Sequence, residues 1–227
     1  MNNQHIIIAI DGFSSTGKST IAKQVAKRKN LIHVDTGAMY RAVTLYAIQN
    51  NLIDEKGNVD DDFANHLSEI SIEFKYNKAE QINETYLNGQ NVENEIREMR
   101  VANVVSFIAA IPEVRAFLVE QQRDMGKKQS LVMDGRDIGT VVFPKADYKF
   151  FITARPEVRA KRRYDELIAK GKDVNLEEIT KNVIERDHID TTRAISPLKK
   201  AEDAIEIDNS DLNREETLEK VLSYLTF

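Results

Sequence analysis

The chain contains no cysteine, which excludes disulfides and thiolate metal sites and accords with a reducing cytoplasm. It has no run of eighteen apolar residues that would read as a membrane span. No basic-then-apolar signal segment opens it. Apolar residues, at 41%, are slightly sparse and charged ones, at 30%, slightly abundant for a globular protein. A chain of 227 residues still has ample material for a core, and the length suits one domain with appended pieces or a small insert. Positive charge does not dominate: the net charge of −5 argues against broad nucleic-acid binding. It leaves phosphate ligands open, because the basic residues are clustered. There is no internal repeat and no low-complexity tract. The four histidines are scattered, and no Ser-His-Asp arrangement supplies a general base. The runs Asp60-Asp61-Asp62 and Lys127-Lys128 read as solvated turns.

What is present is a rhythm. Residues 5–10, 31–35, 130–135, 148–153 and 204–208 are short, mostly continuous apolar runs, as expected for strands covered on both faces. Helical patterns over 18–29, 37–50, 113–126, 156–170, 176–189 and 214–225 alternate with them. That alternation predicts an α/β fold with a parallel sheet of about five strands, whose ligands collect at the strands' carboxyl ends. The stretch from about 60 to 105 breaks the rhythm. Ile70–Tyr76 alternates like a half-exposed antiparallel strand, and Asn88-Gly89 suits a tight hairpin. A small β insert is predicted there, followed by a helix from about 95, with Pro112 at the next boundary.

Directly after the first strand, Gly12-Phe13-Ser14-Ser15-Thr16-Gly17-Lys18-Ser19 has the form G-x-x-x-x-G-K-S and runs into a helix through Thr20. This is the context a phosphate-binding loop requires. Backbone N–H groups wrap phosphates at the positive end of the helix, Lys18 reaches the β/γ-phosphates, and the Ser19 hydroxyl completes a Mg²⁺ shell. Two more polar clusters follow strands. Asp35-Thr36-Gly37 opens a helix carrying Arg41 one turn on; Thr36 can cap that helix or bind a phosphate, and Arg41 is a surface residue or a clamp. Asp134-Gly135-Arg136-Asp137 offers Asp134 as a Mg²⁺ partner through water or as a strand-end acceptor. Arg136 and Asp137 form an ion pair or a recognition pair.

Arg155, Arg159 and Arg162, beside Arg163, fall on one helical face, for which a solvated face is the ordinary expectation. Arg186, Asp190 and Arg193 repeat that spacing, either as an exposed ion-pair row or as arginines oriented by Asp190. Together these favour phosphoryl transfer, which needs charge stabilisation and in-line placement. A phosphate monoester acceptor, with a second pKa of about 6, needs no general base. A basic lid would exclude water.

With these residues in view, the chain resembles the bacterial cytidylate (CMP/dCMP) kinases, nearly end to end. The likeness rests on DGFSSTGKST, VDTGAMYRAVT, GQNVENEIR, VANVVSFIAAIPEVR, DGRDIGTVVFPKADYKFFITA, RAKRR and ERDHIDTTRAISPLKKAEDAIEID. The resemblance implies a phosphate-loop kinase core over 1–59 and 106–227, a lid at about 155–193 and a nucleotide-monophosphate insert over 60–105. It implies transfer of the γ-phosphoryl of MgATP to CMP or dCMP, in a cytoplasmic monomer that binds neither nucleic-acid polymers nor membranes.

Carried over by position, Gly12, Phe13, Ser14, Ser15, Thr16, Gly17, Lys18, Ser19, Thr20 and Arg162 take ATP. Ser106, Arg115 and Asp137 read cytosine, and Arg186 and Asp190 take the ribose. Thr36, Arg41, Arg136 and Arg193 hold the CMP phosphate. Catalysis is assigned to Lys18, Arg136, Asp137 and Arg193, and the metal to Ser19 with Asp134. Two positions depart from the family: Thr36 stands where some members have serine and keeps the hydroxyl, and Phe13 replaces the proline of the commoner loop form. Kinases for AMP, UMP or shikimate share the loop and lid but lack the combination of β insert and DGRDIGTVVFP. A GTPase switch would need an N/T-K-x-D motif, which is absent, and Asp137-Ile138-Gly139 lacks D-x-x-G spacing. A catalytically dead binding module is disfavoured by the presence of Lys18, Ser19, Arg41, Arg136 and Arg193.

Overall fold

A computed structural model describes residues 5–77 and 82–227. Four residues of the expected insert, 78–81, lie outside the described residues. The chain divides into two compact units, one of residues 1–34 with 123–227 and one of residues 35–122.

The first unit is built on a five-stranded sheet in the order β2-β6-β1-β7-β8. Its strands are β1 (Ile7–Gly12), β2 (Ile32–Asp35), β6 (Leu131–Gly135), β7 (Tyr148–Thr153) and β8 (Ile205–Asp208). β1 pairs in parallel with β6 on one side and β7 on the other, and β7 pairs in parallel with β8. All six residues of β1 are buried, which is why its sequence is continuously apolar where it faces helices on both sides. Ile8, Ile10, Val132, Phe150, Ile152 and Ile207 pack with Ile21 and Val25 of α1 (Lys18–Lys29) and Leu218 and Val221 of α7 (Arg214–Leu222). Each such fully buried side chain contributes about 1.5–3 kcal/mol.

β1 starts two residues later than its apolar run and ends two later, because Asp11 and Gly12 stay in the ladder opposite Gly135 and Ile152. Only glycine fits at 12: a Cβ there would lie 2.0 Å from the Ile152 carbonyl oxygen, and φ is +150°. α5 (Pro156–Ala169) and α6 (Leu176–Thr192) pack on each other through Ala160, Leu167, Ile179 and Val183. α6 runs three residues past its expected end, so Asp190 is helical while Arg193, with ψ 142°, leaves the helix as its C-cap.

The second unit holds α2 (Thr36–Gln49), a 3-10 turn at Phe63–Glu69, an antiparallel sheet of β3 (Ile72–Asn77), β4 (Ile82–Leu87) and β5 (Gln90–Asn91), and α3 (Met99–Ile108). α4 (Pro112–Lys128) begins in this unit, with Pro112 at its first residue. Asn88 and Gly89, both at positive φ (48° and 81°), make the two-residue turn joining β4 to β5. The helix expected from about 95 begins as a 3-10 turn at Glu95–Arg97 and becomes regular only at Met99. Among the described residues no single helix is long and apolar enough to cross a membrane.

Candidate active site

In the first unit, the loop from Gly12 to Gly17 links β1 to α1. Gly17 caps α1 with φ 84°, and no acidic side chain occupies the helix's first turn. The positive end of the helix therefore stays available to an anion. Lys18 is buried, and its ammonium donates to the Phe13 carbonyl at 3.2 Å, as does the Thr16 hydroxyl at 3.1 Å. The buried Ser14 hydroxyl has no hydrogen-bond partner among the described residues.

The Ser19 hydroxyl donates to Asp134 Oδ2 at 2.5 Å, and His33 Nε2 meets Oδ1 at 2.8 Å. Hydroxyl and carboxylate oxygens are hard donors that suit Mg²⁺. Among the described residues no group of three or more His, Cys, Asp or Glu side chains is disposed to hold a metal. A cation here would thus share its shell with phosphate oxygens, as Mg²⁺ commonly does.

Beneath the loop, Asp11 accepts the backbone N–H groups of Ile138 and Gly139 at 2.8 and 2.7 Å. These belong to a π-helical turn, Ile138–Val142, that follows Asp137. Burial pushes the Asp11 carboxyl up to about 7, against the pull of those two N–H groups and of Lys18, with Asp137 adding to the rise. Asp11 thus fixes the turn that carries Asp137, itself buried.

Arg136 does not pair with its neighbour Asp137 in the way adjacency suggests. Its Nε donates to Asp190 Oδ2 at 2.8 Å, and Arg193 Nη1 lies 3.7 Å from Asp190 Oδ1. Asp190 is 4% exposed, which rules out the exposed ion-pair row. Burial by itself would raise its carboxyl, but Arg136, Arg186 and Arg193 outweigh that and hold it below the usual carboxylate range. Arg193 Nε also donates to the Ser196 carbonyl at 2.8 Å.

The basic face of α5 splits by residue. Arg155 is an exposed cap paired with Asp211, and Arg163 pairs with Glu166 near the surface. Arg159 is 2% exposed and clasped by Asp187, so the solvated-face expectation fails for it. Arg162 reaches the loop after β8, donating to Asn209 Oδ1 at 3.0 Å and to the Asn209 carbonyl at 2.7 Å. Asn209 in turn donates to the Thr16 carbonyl at 2.8 Å, tying that loop to the phosphate loop.

In the second unit the cap of α2 is Asp35, not Thr36: its Oδ1 accepts from the Ala38 N–H at 3.0 Å. Its Oδ2 accepts from Arg41 at 3.0 Å, so Arg41 is held at the helix start. Thr36 is the first helical residue and is buried. Arg115 of α4 is buried, donates to the Ala109 carbonyl at 3.0 Å and lies 5.5 Å from the Tyr40 ring centroid. Ser106 is buried on α3.

Asp11, His33, Asp187 and Asn209 escaped the reading of the sequence. Asp11 had a signal, an acid ending an otherwise apolar strand. Asn209 had one as well, since Asp208-Asn209-Ser210 is a fourth polar cluster at a strand's carboxyl end.

A glycine loop on a helix N-terminus, a hydroxyl of that helix paired with a carboxylate on the adjoining strand, and arginines ordered by a buried acid define a phosphate-loop kinase. The family model for cytidylate kinase matches residues 8–226. A cytidylate kinase of Flavobacterium johnsoniae is 56% identical over 217 residues, covering 96% of this chain and 94% of the relative. One from Bacteroides fragilis is 53% identical over 218 residues, covering 96% and 95%. The chain belongs to the cytidylate kinase family.

Proposed function

We propose that the protein transfers the γ-phosphoryl group of MgATP to CMP or dCMP, giving ADP and CDP or dCDP. The observation that carries this is the buried Asp190, which orders Arg136 and Arg193 beside the Asp134–Asp137 strand end of the phosphate-loop unit. Two guanidiniums held by one carboxylate suit a dianionic acceptor phosphate, whose oxygen is nucleophilic at neutral pH. The bond from the γ-phosphorus to the bridging oxygen of ADP breaks as one forms to that acceptor oxygen.

In this reading residues 12–20 and Arg162 hold the donor, and Ser19 with Asp134 would hold Mg²⁺. Bound with the nucleotide, the cation neutralises charge on the transferring group. Arg136 and Arg193 take the acceptor phosphate, and Arg186 and Asp190 the ribose. Thr36 and Arg41 are assigned to the same phosphate. Asp137, Ser106 and Arg115 are assigned to cytosine. We assign residues 155–193 as the lid and 60–105 as the acceptor insert, in a cytoplasmic monomer.

The test is ADP formation from ATP against CMP, dCMP, UMP, AMP and GMP. CMP and dCMP should give the highest kcat/KM; a higher value for AMP or UMP overturns the reading. Asp137→Ala should raise the KM for CMP about 10–100-fold, the cost of an unsatisfied polar contact. ATP affinity, followed by calorimetry, should stay near native. Equal losses for both nucleotides would remove Asp137 from the acceptor side.

A further inference from the structure

Among the described residues the largest fully buried side chain is an arginine that the reaction as proposed does not use. Arg159 Nε donates to the Ala154 carbonyl at 2.8 Å, just past β7. Nη1 and Nη2 make a two-pronged pair with Asp187 of α6 at 3.0 and 2.5 Å. Nη1 also reaches the Ser14 carbonyl at 3.4 Å, and the guanidinium carbon lies 5.0 Å from the Phe13 ring centroid. The ring has a second partner: Phe13 meets Phe151 edge-on, with centroids 5.9 Å apart and planes at 82°. Thus one guanidinium joins both helices of the α5–α6 pair to two consecutive residues of the phosphate loop. The Phe13 carbonyl between them is the acceptor on which Lys18 and Thr16 rest.

Residue 13 is not a proline, so no ring locks its φ. A loop that must present successive N–H groups to phosphates needs some other restraint. A planar, permanently charged guanidinium supplies one, because it can stack and donate in its plane at the same time.

We propose that Arg159 is a positioning residue: clamped by Asp187, it seats Phe13 and Ser14 and so holds the phosphate loop and Lys18 in register for the donor nucleotide. Arg159 touches no substrate in this role and acts through the loop. The proposal rests on residues 12–20 being the donor loop.

The experiment is a double-mutant cycle with Phe13→Leu, Arg159→Lys and the pair, measuring KM for ATP, KM for CMP, kcat and Tm. Arg159→Lys keeps a charge for Asp187, and Phe13→Leu keeps bulk on Phe151, so both variants should fold. Each single change should raise the KM for ATP about tenfold, the scale of a desolvated cation–π contact, with the KM for CMP within about twofold. The pair should be no worse than the worse single variant, against the ~100-fold that independent sites would give. Singles that leave the KM for ATP native, that raise both KM values alike, or that multiply in the pair overturn the proposal. Were the donor-loop reading itself at fault, Lys18→Ala would leave ATP affinity and turnover native, and both would fall together.

Discussion

Lys18→Ala is expected to lower turnover about 10²–10³-fold, the effect of removing one preorganised donor from developing negative charge. The ammonium is already withdrawn from water and rests on the Phe13 carbonyl at 3.2 Å, at the start of α1. That carbonyl is a weak, neutral acceptor. The γ-phosphoryl oxygens of a bound nucleotide would draw the ammonium with full charges. Because charge moves onto the leaving oxygens as the reaction proceeds, the loss should fall mainly on kcat, with the KM for CMP little changed.

The fold should survive. Lys18 lowers the pKa of Asp11 electrostatically, and without it that carboxyl rises further and is neutral over a wider range. A neutral carboxyl tolerates burial, so removal of the lysine leaves no stranded charge. Steady-state ADP formation and a thermal melt check both parts. Turnover within about threefold of native would refute the role of Lys18.

Lys18 was legible in the sequence for a reason that Asp11 and Arg159 were not. The phosphate loop is local: its glycines, lysine and serine serve one ligand over eight consecutive residues, so spacing carries the chemistry. The strands were legible because burial on both faces writes an apolar run, and the β4–β5 turn because only residues tolerating positive φ fit it. By contrast, Asp11 meets Ile138 and Gly139 across 127 and 128 positions. Arg159 meets Ser14 across 145.

Helical periodicity put Arg155, Arg159 and Arg162 on one face but could not say that the face was partly buried. Only packing against α6 and the loop decides that. Thr36 was the reasonable cap by residue type, yet the chain begins its helix one residue earlier and gives the cap to Asp35. Ser106 and Arg115 came from the family resemblance alone. Neither the spacing of α3 nor that of α4 marks them out, and the structure places both as buried polar side chains within the second unit.

Asp190→Ala should cost about 3–5 kcal/mol of stability, the penalty for removing one partner from a buried ion pair. Arg136 would lose its 2.8 Å acceptor, and the electrostatic attraction of Arg186 and Arg193 to the same carboxylate would vanish with it. The KM for CMP should rise along with the fall in stability, because the two arginines assigned to the acceptor phosphate would lose their common anchor. Asp190→Asn, which keeps the shape and one acceptor oxygen, separates charge from packing and gives the sharper test through pH.

The folded carboxyl of Asp190 sits below its unfolded value of about 3.9. Between the two values the unfolded chain binds the extra proton. The contribution of Asp190 to stability is therefore complete above about pH 4 and fades as pH falls through the folded value. Denaturant unfolding of the native protein and Asp190→Asn from pH 7 down to pH 3 should show a stability gap that is constant near neutrality and narrows in acid. A gap that stays constant over the whole range would mean that the arginines do not hold Asp190 as an anion. In that case the ordering of Arg136 and Arg193 would have to come from elsewhere.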